Sequence, residues 1–227
     1  MSNMKKKELQ ISSMYDLQYT EAAPAFAGCV YPWEVLPKIH DFIASYGPTL
    51  SPEEYEEVKP HVWIHKTAKV FDSAYFDEWI IVGPETEIRQ CAFLRGNIVV
   101  GKGCVVGNSC ELKNVILFDC VQTPHYNYLG DSILGYKSHM GAASLTSNVR
   151  SDKKLVVVHA EDGEIETGLK KFGAMLSDHV EVGCGSVLNP GVCIGSNTNI
   201  YPLSPVRGTV PANSIYKDRS HVIAKEG

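Results

Sequence analysis

Several features are scarce in this 227-residue chain, and each scarcity excludes something. No apolar run approaches the ~20 residues that a membrane-spanning helix requires, and the opening MSNMKKKELQ lacks the apolar stretch of a secretory leader. A cytoplasmic protein without a membrane partner is therefore expected. Positive charge is in deficit. The 21 lysines and arginines face 26 aspartates and glutamates, a formal net charge of −5, which argues against nucleic acid as a partner. A small anion held by a few local cations remains compatible with that balance. The seven cysteines are scattered and form no C-x-x-C pair, so neither a disulfide framework nor a zinc ribbon is indicated, and reduced thiols follow.

What the chain does have is a beat of six. From Ile64 a large apolar residue recurs at Val70, Phe76, Val82, Ile88, Leu94, Val100, Val106 and Leu112. Four places after each stands a mostly small or β-branched residue: Ala68, Ala74, Ile80, Thr86, Ala92, Ile98, Cys104, Cys110 and Ile116. The phase returns at Leu134 and Met140, then from Leu176 through Val182, Leu188, Ile194, Ile200 and Val206. An α-helix cannot use this period, because every sixth residue is rotated by about 240°. A flat strand alternates every two residues and would be apolar more often. A three-sided coil fits: six residues make a side, large and small groups point inward, and Gly or Asn turns the corner. Cys104 and Cys110 fall in the small inward slot and read as core, whereas Cys184 falls outside it.

Outside the beat the organisation is coarser. Residues 1 to 60 read as a tail followed by a helical arm, and 61 to 227 as the coiled domain. The first 20 residues look loose, with Lys5, Lys6 and Lys7 solvated. Trp33, Leu36, Ile39, Phe42 and Ile43 have helical spacing, and Gly47-Pro48 ends that helix. Ser51-Pro52-Glu53-Glu54 reads as the capped start of another. The arm is expected to cover an end of the coil or a neighbouring subunit, and Trp63, Trp79 and Tyr75 to pack between coils or against it.

The beat is interrupted twice. Between Phe118 and Tyr128 stand ten residues where six would keep step, which predicts a loop of about four extra residues carrying His125, Tyr126 and Tyr128. From about 149 to 171 a second insertion contains LVVVHAEDGEIETG, a β-hairpin turning at Asp162-Gly163. Repeat proteins concentrate function in such places.

One string is specific: His125-x-x-Tyr128-Leu129-Gly130-Asp131, then Gly141-Ala142-Ala143, then Thr146-Ser147-Asn148. Over roughly residues 89 to 219 this resembles the acetyltransferase half of the bifunctional N-acetylglucosamine-1-phosphate uridylyltransferases and the related archaeal sugar-1-phosphate enzymes. The resemblance implies a mainly β fold, the left-handed parallel β-helix of the hexapeptide acyltransferases, assembled as a homotrimer. It implies an acetyl-CoA-dependent N-acetyltransferase acting on a small-molecule amino-sugar 1-phosphate, glucosamine- or galactosamine-1-phosphate.

The chemistry requires an amine without its extra proton, because an ammonium has no lone pair for the thioester carbonyl. A histidine can take that proton near neutral pH. By resemblance His125 is the general base. Arg95, Lys113, Tyr128, Asn148 and Lys154 match positions that hold the amino-sugar phosphate, with Lys153 competing for the last of these roles. Ala142, Cys184 and Arg219 match positions that touch acetyl-CoA. Two departures stand out: Cys184 replaces a serine, and His139 replaces an asparagine that faces substrate. The amides of Gly141-Ala142-Ala143 are candidates for stabilising the oxyanion.

Other classes remain. A β-helix zinc enzyme like the γ-type carbonic anhydrases needs suitably spaced histidines, and no H-x-x-x-x-H occurs among the eight. A non-catalytic scaffold partnering a separate sugar nucleotidyltransferase is the third reading. Residues 1 to 60 contain no G-x-G-x-x-[RK] loop, so uridylyl transfer by this chain is not expected, and no metal ligand is assigned.

Overall fold

The computed structural model describes residues 3–225. From Val62 the chain winds as a β-solenoid whose three faces are columns of short parallel strands. The first face stacks Val62–His65, Ile80–Val82, Ile98–Val100 and Val115 to Leu117, then Ser132 to Leu134, Ala174–Leu176, Val192–Ile194 and Thr209–Val210. The second runs from Lys69–Val70 through Gln122–His125 and His139–Met140 to Ser214–Asp218. The third stacks Tyr75–Phe76, Phe93–Leu94, Glu111 to Lys113, Tyr128 to Gly130, Leu145–Thr146, Val187–Leu188 and Pro205–Val206. The hexapeptide beat is thus the period of one side. Its large members, such as Val82, Leu94, Val106 and Leu112, are buried inside the coil. Cys104 and Cys110 are buried too, each with its thiol 3.0 Å from a backbone carbonyl, and burial pushes both thiols up.

The first interruption is a shortening, not the expected loop. Ile98 pairs with Val115 and Glu111 with Tyr128, seventeen residues on, where earlier rungs such as Val62 and Ile80 are eighteen apart. The missing residue is at the corner between third and first faces. There Gly96 and Asn97 turn one coil, but Asn114 alone and then Asp131 alone turn the next two, with φ of 55° and 48°. Asn and Asp tolerate this left-handed backbone better than most residues. As a result Leu117, Thr123 and Leu129 hold the inward positions, and Ile116 turns outward. His125 lies at the end of a regular strand, paired with Asn108. The second interruption is a true insertion. It carries an antiparallel hairpin, Val157–Ala160 with Gly163–Glu166, turning through residues 161 and 162, one place earlier than predicted. It leaves from the same corner that lost a residue twice.

The first face explains the arm. In Ile80-Ile81-Val82, Ile98-Val99-Val100 and Val115-Ile116-Leu117 all three residues are buried, because the outer residue of each strand is covered as well as the inner two. The cover is residues 3–50, lying along this face rather than across an end. Tyr15 packs on Phe118 with ring centroids 5.2 Å apart, Tyr19 stacks on Tyr136 at 3.7 Å, and Trp33 meets Phe172 at 5.6 Å. The first 20 residues are therefore not a loose tail: Met4, Leu9, Ile11 and Met14 are buried. Helical spacing around Trp33 is met by a 3-10 turn, Pro32–Lys38, running into the α-helix Ile39–Tyr46. Pro37 lacks the N–H a regular helix would use there. Ser51 makes a single turn, accepting from Glu54 and Tyr55, but Tyr55–Lys59 then pairs antiparallel with Val62–His65 instead of continuing as helix. Trp63 seats on Gly47, where a side chain would collide with its ring. Trp79 stacks on His61 at 3.9 Å, while Tyr75, 60% exposed, meets Phe93 of the next coil edge to face at 5.6 Å. Among the described residues no helix is long and apolar enough to cross a membrane.

Candidate active site

Two corners border the third face. At the corner from second to third, the same position in successive coils is held by Asn108, His125, Ala142 and Cys184. The rungs are joined by Tyr126 N–H to Asn108 O (2.9 Å), Ala143 N–H to His125 O (3.0 Å) and Gly185 N–H to Ala142 O (2.9 Å). The solenoid thus stacks the predicted base and two predicted acetyl-CoA residues in one column. His125 is exposed, and its backbone N–H donates to Asn127 Oδ1 at 3.2 Å. Buried Asn127 donates onward to the carbonyls of Gly141 (2.9 Å) and Ser144 (3.0 Å), which ties the coil of His125 to the Gly141-Ala142-Ala143 turn. The Gly141 and Ala143 amides are used in rung bonds to Val182 and His125. Only the Ala142 amide of that turn has no backbone acceptor among the described residues, so it alone is available to an oxyanion.

At the corner from third to first, Arg95 and Lys113 occupy matching positions in adjacent coils. The organising group is Asp131, 4% exposed. Its Oδ1 accepts from Lys113 Nζ (3.0 Å) and Asn114 Nδ2 (3.0 Å), and its Oδ2 from Asn148 Nδ2 (2.5 Å). A buried carboxylate needs such donors to offset its desolvation. Arg95 Nη1 meets Glu111 Oε1 at 2.6 Å, and that carboxylate raises the arginine above its ordinary value. Tyr128 lies between the two pairs. Burial first, then the charges of Glu111 and Asp131, push its phenol up, so it stays a neutral hydroxyl at physiological pH. A Cβ at Gly130 would come within 2.7 Å of both Asn148 Nδ2 and the Tyr128 hydroxyl, so a side chain there would displace these two groups.

The structure therefore brings Arg95, Lys113, Tyr128 and Asn148 together, and separately His125, Ala142 and Cys184. Within one chain the two groups flank a face of about six extended residues, some 15–20 Å. Lys154 joins neither: it is exposed at the base of the hairpin, beside the Arg150–Asp152 pair. His139 is on the second face, its Nδ1 2.9 Å from Glu181 Oε2, three residues before Ala142 in the chain. Arg219 lies in the turn after Ser214–Asp218 and lines a cleft with residues of the insertion. Sequence reasoning missed Glu111, Asn114 and Asp131 as partners of the cations. Asp131 was in the diagnostic string, but its role depends on Asn148 seventeen residues away. Among the described residues no group of three His, Cys, Asp or Glu side chains gathers as a metal would need.

Residues 58–170 match the family model described as the GMPPB C-terminal domain. The bifunctional protein GlmU of Methanococcus maripaludis strain C5 is 35% identical over 136 residues, 60% of this chain and 33% of that protein. The bifunctional sugar-1-phosphate nucleotidylyltransferase/acetyltransferase of Sulfurisphaera tokodaii is 30% identical over 165 residues, 73% of this chain and 41% of that protein. Among solved structures, a hexapeptide transferase family protein from Anaplasma phagocytophilum is 14% identical with a TM-score of 0.42, over 74% of this chain and 83% of that one. The chain is a hexapeptide-repeat β-solenoid protein. Its solenoid resembles the acetyltransferase part of the bifunctional sugar-1-phosphate enzymes, and the chain spans about a third to two fifths of the length of these two relatives.

Proposed function

We propose that this protein is an acetyl-CoA-dependent N-acetyltransferase whose acceptor is an amino-sugar 1-phosphate, glucosamine- or galactosamine-1-phosphate. One observation carries the reading. The base candidate His125 shares a corner column with Ala142 and Cys184, while Arg95, Lys113, Tyr128 and Asn148 gather at the other edge of the same face. His125 takes a proton from the ammonium, the freed amine attacks the thioester carbonyl, and the Ala142 amide donates to the oxygen that gains charge. Collapse breaks the C–S bond and releases the CoA thiolate, which takes up the proton that the attacking nitrogen gives up as the amide forms. Holding acceptor and thioester in one geometry supplies much of the acceleration expected of such a transfer.

The two edges of one face are too far apart to act on a single small acceptor. A second copy of the chain, laying its cation corner beside the histidine corner of the first, completes the site, and a closed ring of three satisfies every corner. The same reading gives Arg219 to the CoA phosphates and leaves His139, held by Glu181, to distinguish acceptors. The test is thiol release from acetyl-CoA across a panel of amino-sugar 1-phosphates, with His125→Ala alongside. Release with a hexosamine 1-phosphate and its loss in the variant support the proposal. No release with any amino sugar overturns the activity, and full turnover by His125→Ala overturns the base. Sedimentation of the same preparation as a monomer overturns the shared site.

A further inference from the structure

An amino sugar that arrives as an ammonium loses two protons on its way to an amide, one before the attack and one from the nitrogen of the tetrahedral intermediate. On the acetyl-transfer reading His125 takes the first, and is then an imidazolium that cannot take the second. The second proton decides which way the intermediate collapses. An amine of the α-amino kind, with a value of about 8, is a better leaving group than a thiolate whose acid has a value of about 8.5. An intermediate that keeps its extra proton therefore reverts to reactants more readily than it expels CoA. A second proton acceptor within reach of the same nitrogen sends it forward.

The second face holds such a group. Gln122, His139 and Glu181 occupy matching positions on successive rungs, and His139 Nδ1 lies 2.9 Å from Glu181 Oε2. An ionised carboxylate only accepts, so the neutral ring carries its proton on Nδ1 and presents a bare Nε2. The ring of His125 has no hydrogen-bond partner among the described residues. Two other histidines face carboxylates, His159 with Glu164 and His221 with Asp218, but their side chains are 54% and 69% exposed, on the hairpin and in the last strand. The His139 side chain is 34% exposed and lines a concavity of about 410 Å³ with Cys120, Gln122, Lys137, His179 and Glu181. Lys137 lies over the Tyr136 ring and His179 against its edge, which leaves Glu181 as the charged group on the His139 ring. His139 is three residues before Ala142, and that coil stacks on the coil of His125 through Ala143 N–H to His125 O. Three extended residues and one rung separate the two histidines by about 11 Å between Cα atoms, so both rings can approach one small acceptor.

We infer that His139, oriented by Glu181, is a second catalytic base, which takes the proton that the nitrogen gives up as the amide forms and passes it to the CoA thiolate. This rests on the acetyl-transfer reading and goes beyond a contact that distinguishes acceptors. One N–C bond forms and one C–S bond breaks. The first proton goes to His125 and from there to solvent, and the second travels from nitrogen to sulfur on His139, which ends the turnover neutral. Glu181 stays ionised throughout and is a positioning residue.

The test is thiol release by wild type, His139→Asn, His139→Ala and Glu181→Gln, with acetyl-CoA and whichever hexosamine 1-phosphate the wild type accepts. Asparagine keeps a polar side chain at the position and cannot take the proton. In His139→Asn kcat falls by about 10²-fold, the scale of a lost general base, while both KM values stay at the wild-type level. Glu181→Gln loses kcat in the same direction by a smaller factor. Free imidazole restores turnover to His139→Ala in proportion to its unprotonated fraction, which a purely structural role does not allow. A raised acceptor KM with unchanged kcat, or a His139→Ala variant that imidazole does not rescue, overturns the base and leaves a residue that only reads the acceptor. Both side chains reach the surface, and an unchanged melting temperature is the control for folding. No release by wild type with any amino sugar removes the acetyl-transfer reading together with the role built on it. Release by wild type with an unimpaired His139→Asn removes the role alone.

Discussion

The first and third faces of the solenoid share an inward pattern and differ in what they turn outward. The first presents Ile81, Val99, Ile116, Ile133, Met175 and Cys193, all buried beneath the protein's own arm. The third presents Tyr75, Phe93, Glu111 and Tyr128, all of them exposed or partly exposed. A solenoid side supplies one outward residue per rung, and that residue decides whether the face becomes core or working surface. The difference predicts a clean division: substitutions on the first face act on stability, and those on the third face and its corners act on chemistry.

The largest expected effect is chemical. His125→Ala lowers the rate of thiol release by about 10²–10⁴-fold, the usual contribution of a general base. Its melting temperature stays at the wild-type value because the ring touches no core. A large loss of melting temperature would break the division at its sharpest point. Trp33→Ala is the converse. The indole is 1% exposed and wedged between Tyr31 and Phe172. Its removal costs about 3–5 kcal/mol, read from the urea midpoint. Phe93→Ala, 38% exposed on the third face, costs under ~1 kcal/mol. Equal costs for the two would refute the comparison. Gly130→Ala falls between those two. The added methyl pushes on Asn148 and Tyr128, a strain of about 1–3 kcal/mol, and is expected to lower kcat/KM by about tenfold while the urea midpoint moves only modestly. An unchanged kcat/KM would mean that the Asp131 cluster is structural only.

Much of this was legible in the sequence because the six-residue period has one physical meaning in a closed three-sided coil. The stacking of His125, Ala142 and Cys184 was not legible, because the steps between them are seventeen and forty-two residues, one shortened and one holding the insertion. What misled the reading was Leu117 beside Phe118: both are buried, one inside the coil and one under the arm, so the apparent beat ran through the wrong residue and a deletion looked like a loop. The triplets Ile80-Ile81-Val82 and Ile98-Val99-Val100 did signal a face buried on both sides, since an exposed rung would not repeat an apolar outer residue. The cleft between Arg219 and the insertion had no such signal. Its walls meet only through rungs forty-two and eighteen apart, and the first of those steps contains the whole insertion.

The seam between arm and solenoid also contains the feature with the smallest predicted effect. Tyr55 hydroxyl donates to Glu21 Oε1 at 2.7 Å, while buried Oε2 has no hydrogen-bond partner. Burial raises the Glu21 carboxyl above its ordinary value, and the charge of Asp119 adds to the rise against the opposing Tyr55 hydrogen bond. Asp119 and Asp178 are raised by burial in the same seam. A carboxyl raised by folding is held more tightly as the acid in the native state than in the unfolded chain. Its contribution to stability is therefore full below the unfolded value, near about 4.3 for glutamate, and is lost as pH climbs through the folded one. At pH 7, above the unfolded value, folding opposes the ionisation of Glu21 and so weakens the contact between arm and solenoid. Glu21→Gln keeps an acceptor for Tyr55 and removes the charge, so the variant melts about 2–4 °C above wild type at pH 7, the change that one kcal/mol makes in a chain of this size. The gain shrinks toward zero as the pH is lowered to about 4, where wild type is protonated as well. A melting gain that persists undiminished at pH 4, or a variant less stable than wild type at pH 7, would place the strain of this seam elsewhere than in an unpaired buried charge.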